Sequence, residues 1–157
     1  MNKLPVAVIS EKSPVRALLI EPEMKLETLL AKLLKQNNKK SIFLVDDDGK
    51  LAGILNIKEL LIWGWLHLGL LKSTFSLSER KLRRVARSQV ANDLCIPNSH
   101  NMVISSQTTV EEAMDALLLS SQNVVAVVDE NGCIINDLHI DDLLAYAMHE
   151  SQESMNV

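Results

Sequence analysis

Two cysteines, no long apolar span and no surplus of positive charge set the first limits on this 157-residue chain. Cys95 and Cys133 form no Cys-x-x-Cys and no Cys/His spacing of the kind that holds zinc, so no metal site is expected. Each sits in an apolar run and reads as a buried, reduced thiol, which points to a reducing compartment. No run reaches the roughly 18–20 apolar residues that cross a bilayer. The longest candidate, Leu60–Leu71, is interrupted by Gly64, His67 and Gly69. The segment Met1–Ser10 carries one lysine and Pro5 and makes a poor signal peptide, so the expected location is cytoplasmic. A net charge of −4 gives no electrostatic basis for nucleic-acid binding. Nucleophile–base pairs, Gly-x-Ser-x-Gly, a Walker sequence and metal clusters are likewise missing, so neither enzymatic activity nor a required cofactor is expected.

What the chain does have is apolar residues at 47%, enough for a core, and charged residues at 23%, an ordinary globular share. It also has an internal repeat. Ser41–Leu61, around Gly49, and Val124–Leu144, around Gly132, align at a constant offset of 83 residues: Gly49 with Gly132, Asp46 with Asp129, Glu59 with Asp142. Upstream, Leu26–Leu30 aligns with Val110–Met114 at an offset of 84. A repeat of this length sets the fold class before any single motif does.

Each copy predicts the same elements. A short strand, Val15–Ile20 or Met102–Ser106, is followed by a helix. Leu26, Leu29, Leu30, Leu33 and Leu34 have helical spacing, as do Val110, Ala113, Met114 and Leu117. Thr109 and Glu112 have capping-box spacing. The apolar runs Ile42–Val45 and Val124–Val128 are too short for helices and rich in β-branched residues, so they predict buried strands. Asp47-Asp48-Gly49 and Glu130-Asn131-Gly132 predict tight turns with glycine at positive φ. Third strands, Leu51–Leu55 and Cys133–Leu138, lead into helices from Ile57 and Ile140. The predicted fold is α/β (α+β), two tandem β-α-β-β-α units. One copy is too small to bury its sheet alone, so the two are expected back to back about a pseudo-two-fold axis. The expected segments are an extension 1–14, a first unit 15–72, a basic linker helix 73–90, a second unit 91–149 and a flexible tail 150–157.

Two blocks per copy carry a resemblance. One is Phe43-Leu-Val-Asp46 and its counterpart Ala126-Val-Val-Asp129. The other is Gly53-Ile-Leu-Asn-Ile-Lys-Glu59 and its counterpart Asn136-Asp-Leu-His-Ile-Asp-Asp142. They resemble the strand-Asp-turn and Gly-x-x-Thr-x-x-Asp segments of the cystathionine-β-synthase-type (CBS) domain, a pair of which forms a Bateman module. Ala91–Pro97 resembles the lead-in of a second CBS copy. The resemblance implies a regulatory module that binds an adenosyl compound (AMP, ADP, ATP or S-adenosylmethionine) in a cleft between the copies. It further implies dimerisation and action on a partner protein in trans. In the family the motif threonine meets phosphate and the aspartate holds ribose hydroxyls. Here Asn56 and His139 stand at the threonine positions, and Glu59 and Asp142 at the aspartate positions. Lys40 and Ser41, the two residues just before the second strand, match positions that tend to touch phosphate, as do Asn123 and Val124 in the second copy. Lys58 adds a cation beside Glu59. Asp141 lies beside Asp142 with Asp137 nearby and no cation in view, so the second cleft is expected to prefer an uncharged or cationic adenosyl group, or a nucleotide–Mg²⁺ complex.

Two alternatives stay open. Helix-start Asn, Asp and Glu are favoured as caps alone, which would leave an oligomerisation or protein-interaction module without ligand. Leu60–Leu71, with Trp63 and Trp65, is apolar on every side. Residues two apart diverge on a helix, so the two tryptophans cannot share one core. The surplus apolar surface is expected to form a homodimer interface. The helix Glu79–Arg87 places Arg80, Lys81, Arg83, Arg84 and Arg87 opposite Leu82, Val85 and Ala86: a solvated face, or a contact for ligand phosphate, nucleic acid or an acidic partner.

Overall fold

The computed structural model describes residues 4–10, 16–36, 39, 41–70, 77–119 and 123–155. Both copies of the repeat fold as β-α-β-β-α. The first comprises β1 (Ala17–Ile20), α2 (Leu26–Lys35), β2 (Ser41–Val45), β3 (Leu51–Ile54) and α3 (Ile57–His67). The second comprises β4 (Val103–Ser105), α5 (Val110–Leu119), β5 (Val124–Val128), β6 (Ile134–His139) and α6 (Ile140–Met155). A short helix α1 (Ala7–Ser10) precedes the first copy, and α4 (Glu79–Arg87) and two single-turn 3₁₀ segments lie between them.

Each copy makes one three-stranded sheet, in the orders β1-β2-β3 and β4-β5-β6. The outer strand runs parallel to the central one, Ala17 opposite Ser41 and Val103 opposite Ala126. β5 and β6 are antiparallel, Val124 opposite His139. The central strands are apolar runs without alternation because both of their faces are covered. At the turns that follow, Gly49 and Gly132 take φ of 80° and 82°, the left-handed conformation the sequence predicts. Asp129 shows why an aspartate closes this strand. Its Oδ1 accepts the backbone N–H groups of Asn131 and Cys133 at 2.9 and 3.0 Å and tightens the turn.

The chain packs into two compact units that do not follow the order of the repeats. The first unit holds residues 17–47 and 52–100; the second holds 1–16, 48–51 and 101–157. The segment between the repeats therefore completes the first unit. Leu26 N–H donates to Gln89 O at 3.0 Å, Ala91 N–H to Met24 O at 2.8 Å and Ile96 N–H to Ile54 O at 2.9 Å. Val85, Ala91 and Leu94 are fully buried among Leu18, Leu29, Leu44 and Trp63. The segment before the first repeat completes the second unit in the same manner. Val6 N–H donates to Thr108 O at 2.7 Å and Val110 N–H to Leu4 O at 2.9 Å, and Val6 and Ile9 pack on Ile104, Leu117 and Val125. The isolated bridges Lys25–Val90 and Pro5–Thr109 mark equivalent points of the two arrangements.

Four expectations need correction. Leu34 and Met114 match the helical pattern but face outward, because the pattern defines a face and not its edges. Ala86 is exposed, whereas Val85 is buried and Leu82 half-buried. The two free thiols, Cys95 and Cys133, are half-buried rather than buried; Cys133 lies just after a turn. α6 continues to Met155 through the predicted flexible tail, since its polar residues have good helix propensity and His149 and Glu153 pair one turn apart at 3.1 Å. The two tryptophans diverge as expected: Trp63 is buried, and Trp65 is exposed. α3 closes with Gly69 at φ 68°, Leu70 N–H donating to Trp65 O and Gly69 N–H to Leu66 O.

Leu94→Ala tests the role of the inter-repeat segment. It is expected to cost about 2–5 kcal/mol in urea unfolding, as for a fully buried leucine. Leu34→Ala should change stability by no more than about 0.5 kcal/mol. Equal effects would contradict the assignment of residues 91–94 to a core.

Candidate functional site

Equivalent residues open α3 and α6. Asn56 caps α3: its Oδ1 accepts the Glu59 N–H at 3.2 Å and its Nδ2 donates to Glu59 Oε2 at 3.3 Å. Asn56 N–H donates to Leu94 O at 2.8 Å, so the inter-repeat segment fixes the helix start. Glu59 is buried, and its Oε1 takes Arg84 Nη2 at 2.7 Å. α4 is seated by Trp63, whose Nε1 donates to Ser88 O at 3.0 Å, while Ser88 Oγ donates to Arg84 O at 3.0 Å.

Ser41 lies at the same end of the first sheet. Leu55 N–H donates to Ile42 O at 3.0 Å, which puts Ser41 and Asn56, one residue further along each strand, side by side. The Ser41 hydroxyl is buried without a hydrogen-bond partner among the described residues. Such a group is costly to leave unpaired, and a ligand hydroxyl or phosphate oxygen would satisfy it. Lys58 is exposed in the first turn of α3. Lys40 lies outside the described residues.

In the second unit, His139 N–H donates to Asp142 Oδ2 at 2.8 Å, the reciprocal half of a capping box. His139 Nε2 donates to Asp137 Oδ2 at 2.5 Å, and both side chains are buried. Arg16, from the segment before the first repeat, completes the cluster. Its backbone N–H donates to Asp137 Oδ1 at 3.1 Å and its Nη2 donates to Asp142 Oδ2. Burial pushes the Asp137 carboxyl up, but the hydrogen bonds and charges of His139 and Arg16 outweigh it and hold this acid below the ordinary aspartate value. Asp141 is exposed in the first turn of α6.

Arg16 overturns the expectation that no cation stands near Asp142. It lies 126 residues away in sequence, and no local pattern announces it. With a guanidinium on Asp142, like-charge repulsion no longer argues against phosphate at the second repeat. Sequence reading also missed the use of Arg84, visible only as one cation of a basic helix. The structure thus brings Ser41, Asn56, Glu59 and Arg84 together in one unit, and His139, Asp137, Asp142 and Arg16 in the other. Each carboxylate keeps acceptor capacity for a diol.

The family model described as CBS domain matches residues 1–64 and 91–149. No curated protein matches the chain. Among solved structures, CBSX2 in complex with AMP is similar at 20% identity, covering 94% of this chain and 98% of that one, with a TM-score of 0.65. A CBS domain-containing protein from Thermotoga maritima is similar at 19% identity, 92% and 94% coverage and a TM-score of 0.64. The CBS domain pair of protein MJ0100, in complex with 5′-methylthioadenosine and S-adenosyl-L-methionine, gives 16%, 94% and 98%, and 0.63. At these identities the likeness shows the fold.

Asp137→Asn tests the buried cluster. Because Asp137 is a stronger acid folded than unfolded, the native state binds fewer protons. Its contribution is full above the unfolded-state pKa and is lost as pH falls through the lower native one. Urea midpoints should show a loss of about 1–3 kcal/mol at neutral pH, closing toward zero in strong acid. A gap that stays constant into acid would contradict the ionised pairing.

Proposed function

Because this chain belongs to the CBS domain family, we propose that it is a regulatory, non-catalytic module that senses an adenosyl compound and acts on a partner protein in trans. The carrying observation is the recurrence, in both repeats, of a nearly buried carboxylate at the start of the last helix, Glu59 and Asp142. Such a carboxylate accepts hydrogen bonds from both hydroxyls of a ribose. The bound AMP of CBSX2 and the bound S-adenosyl-L-methionine of MJ0100 support an adenosyl ligand. The first repeat is the more responsive of the two. Arg84 on Glu59 is half exposed and can turn away, whereas Arg16 on Asp142 is largely enclosed. Ser41 adds a buried hydroxyl to the first site, and Asn56 and Lys58 extend the polar set there, while Lys40 of the expected set lies outside the described residues. His139, Asp141 and Asp142 form the corresponding set in the second.

A second reading has its own support: both carboxylates are already engaged by arginines, as a ligand-free interaction module would require. The same module would associate through α3. Ile57, Leu61, Trp65 and Leu68 follow one another at helical spacing and are exposed, and Leu144 and Met148 repeat the positions of Leu61 and Trp65 on α6. A homodimer through Leu60–Leu71, of which Leu71 lies outside the described residues, accounts for these exposed side chains. The setting proposed is the cytoplasm, where the free thiols of Cys95 and Cys133 persist. No helix among the described residues is long and apolar enough to cross a membrane.

Isothermal titration with AMP, ATP and S-adenosylmethionine separates the readings. Binding is expected, weakened about tenfold or more by Glu59→Ala and less by Asp142→Ala. No heat with any of the three refutes sensing of these compounds. Native mass spectrometry should give a dimer for the wild type and a monomer for Leu61→Glu with Trp65→Glu; an unchanged dimer would contradict the α3 interface.

A further inference from the structure

Of the basic helix, the proposed function uses only Arg84. α4 lines a groove of about 780 Å³, together with Asp93. Arg80, Arg84 and Arg87 recur at i, i+4 and i+7 and share one face of the helix. The groove's carboxylates are already committed. Glu79 pairs with Arg83 at 2.5 Å, and Asp93 Oδ2 accepts the backbone N–H groups of Gln89 and Val90 at 2.9 and 3.1 Å. Arg80 and Arg87 have no ion-pair partner among the described residues and are exposed. A local positive site thus stands in a chain of net charge −4.

The chemistry selects the occupant. The three aligned cations are all guanidinium groups, whose planar fork matches phosphate oxygens two at a time. A volume of this order suits a small molecule. A nine-residue helix is only about 14 Å long and offers little length to a nucleic-acid backbone.

We propose that this groove binds the phosphates of a small oligophosphate, and that bound phosphate draws Arg84 away from Glu59. Arg84 Nη2 lies 2.7 Å from Glu59 Oε1 while the same side chain lines the groove, so one guanidinium serves two competing anions. Occupancy of the groove frees the Glu59 carboxylate, and the linkage is reciprocal. The groove stands on its own residues; only the benefit to a ribose at Glu59 rests on the function proposed above.

Inorganic tripolyphosphate titrated into the intact chain tests this. The wild type should bind it at one site, more weakly as salt rises, and Arg80→Gln or Arg87→Gln should weaken it about tenfold. Glu59→Gln should strengthen binding severalfold, because it releases Arg84. That gain must vanish when Arg84 is already Gln, which separates release of Arg84 from simple removal of a nearby negative charge. A gain in affinity is not a readout that misfolding can give. Absence of binding, indifference to Arg80→Gln and Arg87→Gln, or an equal Glu59→Gln gain in the Arg84→Gln background would each overturn the proposal. So would tighter binding of a short RNA than of tripolyphosphate. An adenosine titration then distinguishes the two ideas. Adenosine should bind more tightly with tripolyphosphate present. If adenosine never binds while the Glu59→Gln gain holds, the ribose reading fails and the groove is supported.

Discussion

An arginine delivered from outside each repeat holds the carboxylate at the start of that repeat's last helix. Arg84, from the segment between the repeats, reaches Glu59, and Arg16, from the segment before the first repeat, reaches Asp142. Both follow from one packing constraint. A sheet of three short strands with two helices leaves apolar surface that its own repeat is too short to cover. Residues 77–100, which include Arg84, complete the first unit, and residues 4–10 together with Arg16 complete the second. Core packing therefore places the charges, and these charges define the polar site.

The two sites use this arrangement differently. Asp142 stands in a largely enclosed cluster with Arg16, Asp137 and His139, in which the two carboxylates take the guanidinium and the imidazole and the buried Asp137 stays ionised, while Arg16 Nε is buried without a partner among the described residues. Glu59 has one cationic partner, and that partner is half in solvent. The guanidinium can return to solvent at little cost, and the buried Glu59 carboxylate then needs a ligand donor in its place. The contrast supports a division of labour in which the second unit is the more fixed and the first the more responsive.

Much of the fold was legible in the sequence because it is written in local chemistry. Gly49 and Gly132 mark turns that need positive φ, the Val/Ile/Leu runs mark covered strands, and Thr109 with Glu112 forms the capping box that its spacing predicts. Asn56 and Asp142 were legible as helix-start residues by the same logic. What could not be read is what depends on distance or on the backbone. The bonds from Leu26 to Gln89 and from Val110 to Leu4 join main-chain atoms and leave no side-chain signature. The Arg16–Asp142 pair spans nearly the whole chain, and a lone arginine before a strand has no periodicity to betray it. Spacing separated Trp63 from Trp65 but could not say which faces the core; the Ser88 carbonyl that receives the Trp63 N–H decides it.

A crystal structure of the chain grown with ATP is the most direct measurement of the central claim. The account predicts the ribose hydroxyls on Glu59, the Ser41 hydroxyl engaged, and Arg84 turned from Glu59 toward the phosphates beside Arg80 and Arg87. A nucleotide bound elsewhere, with the Arg84–Glu59 pair intact and Ser41 still unpaired, would contradict it.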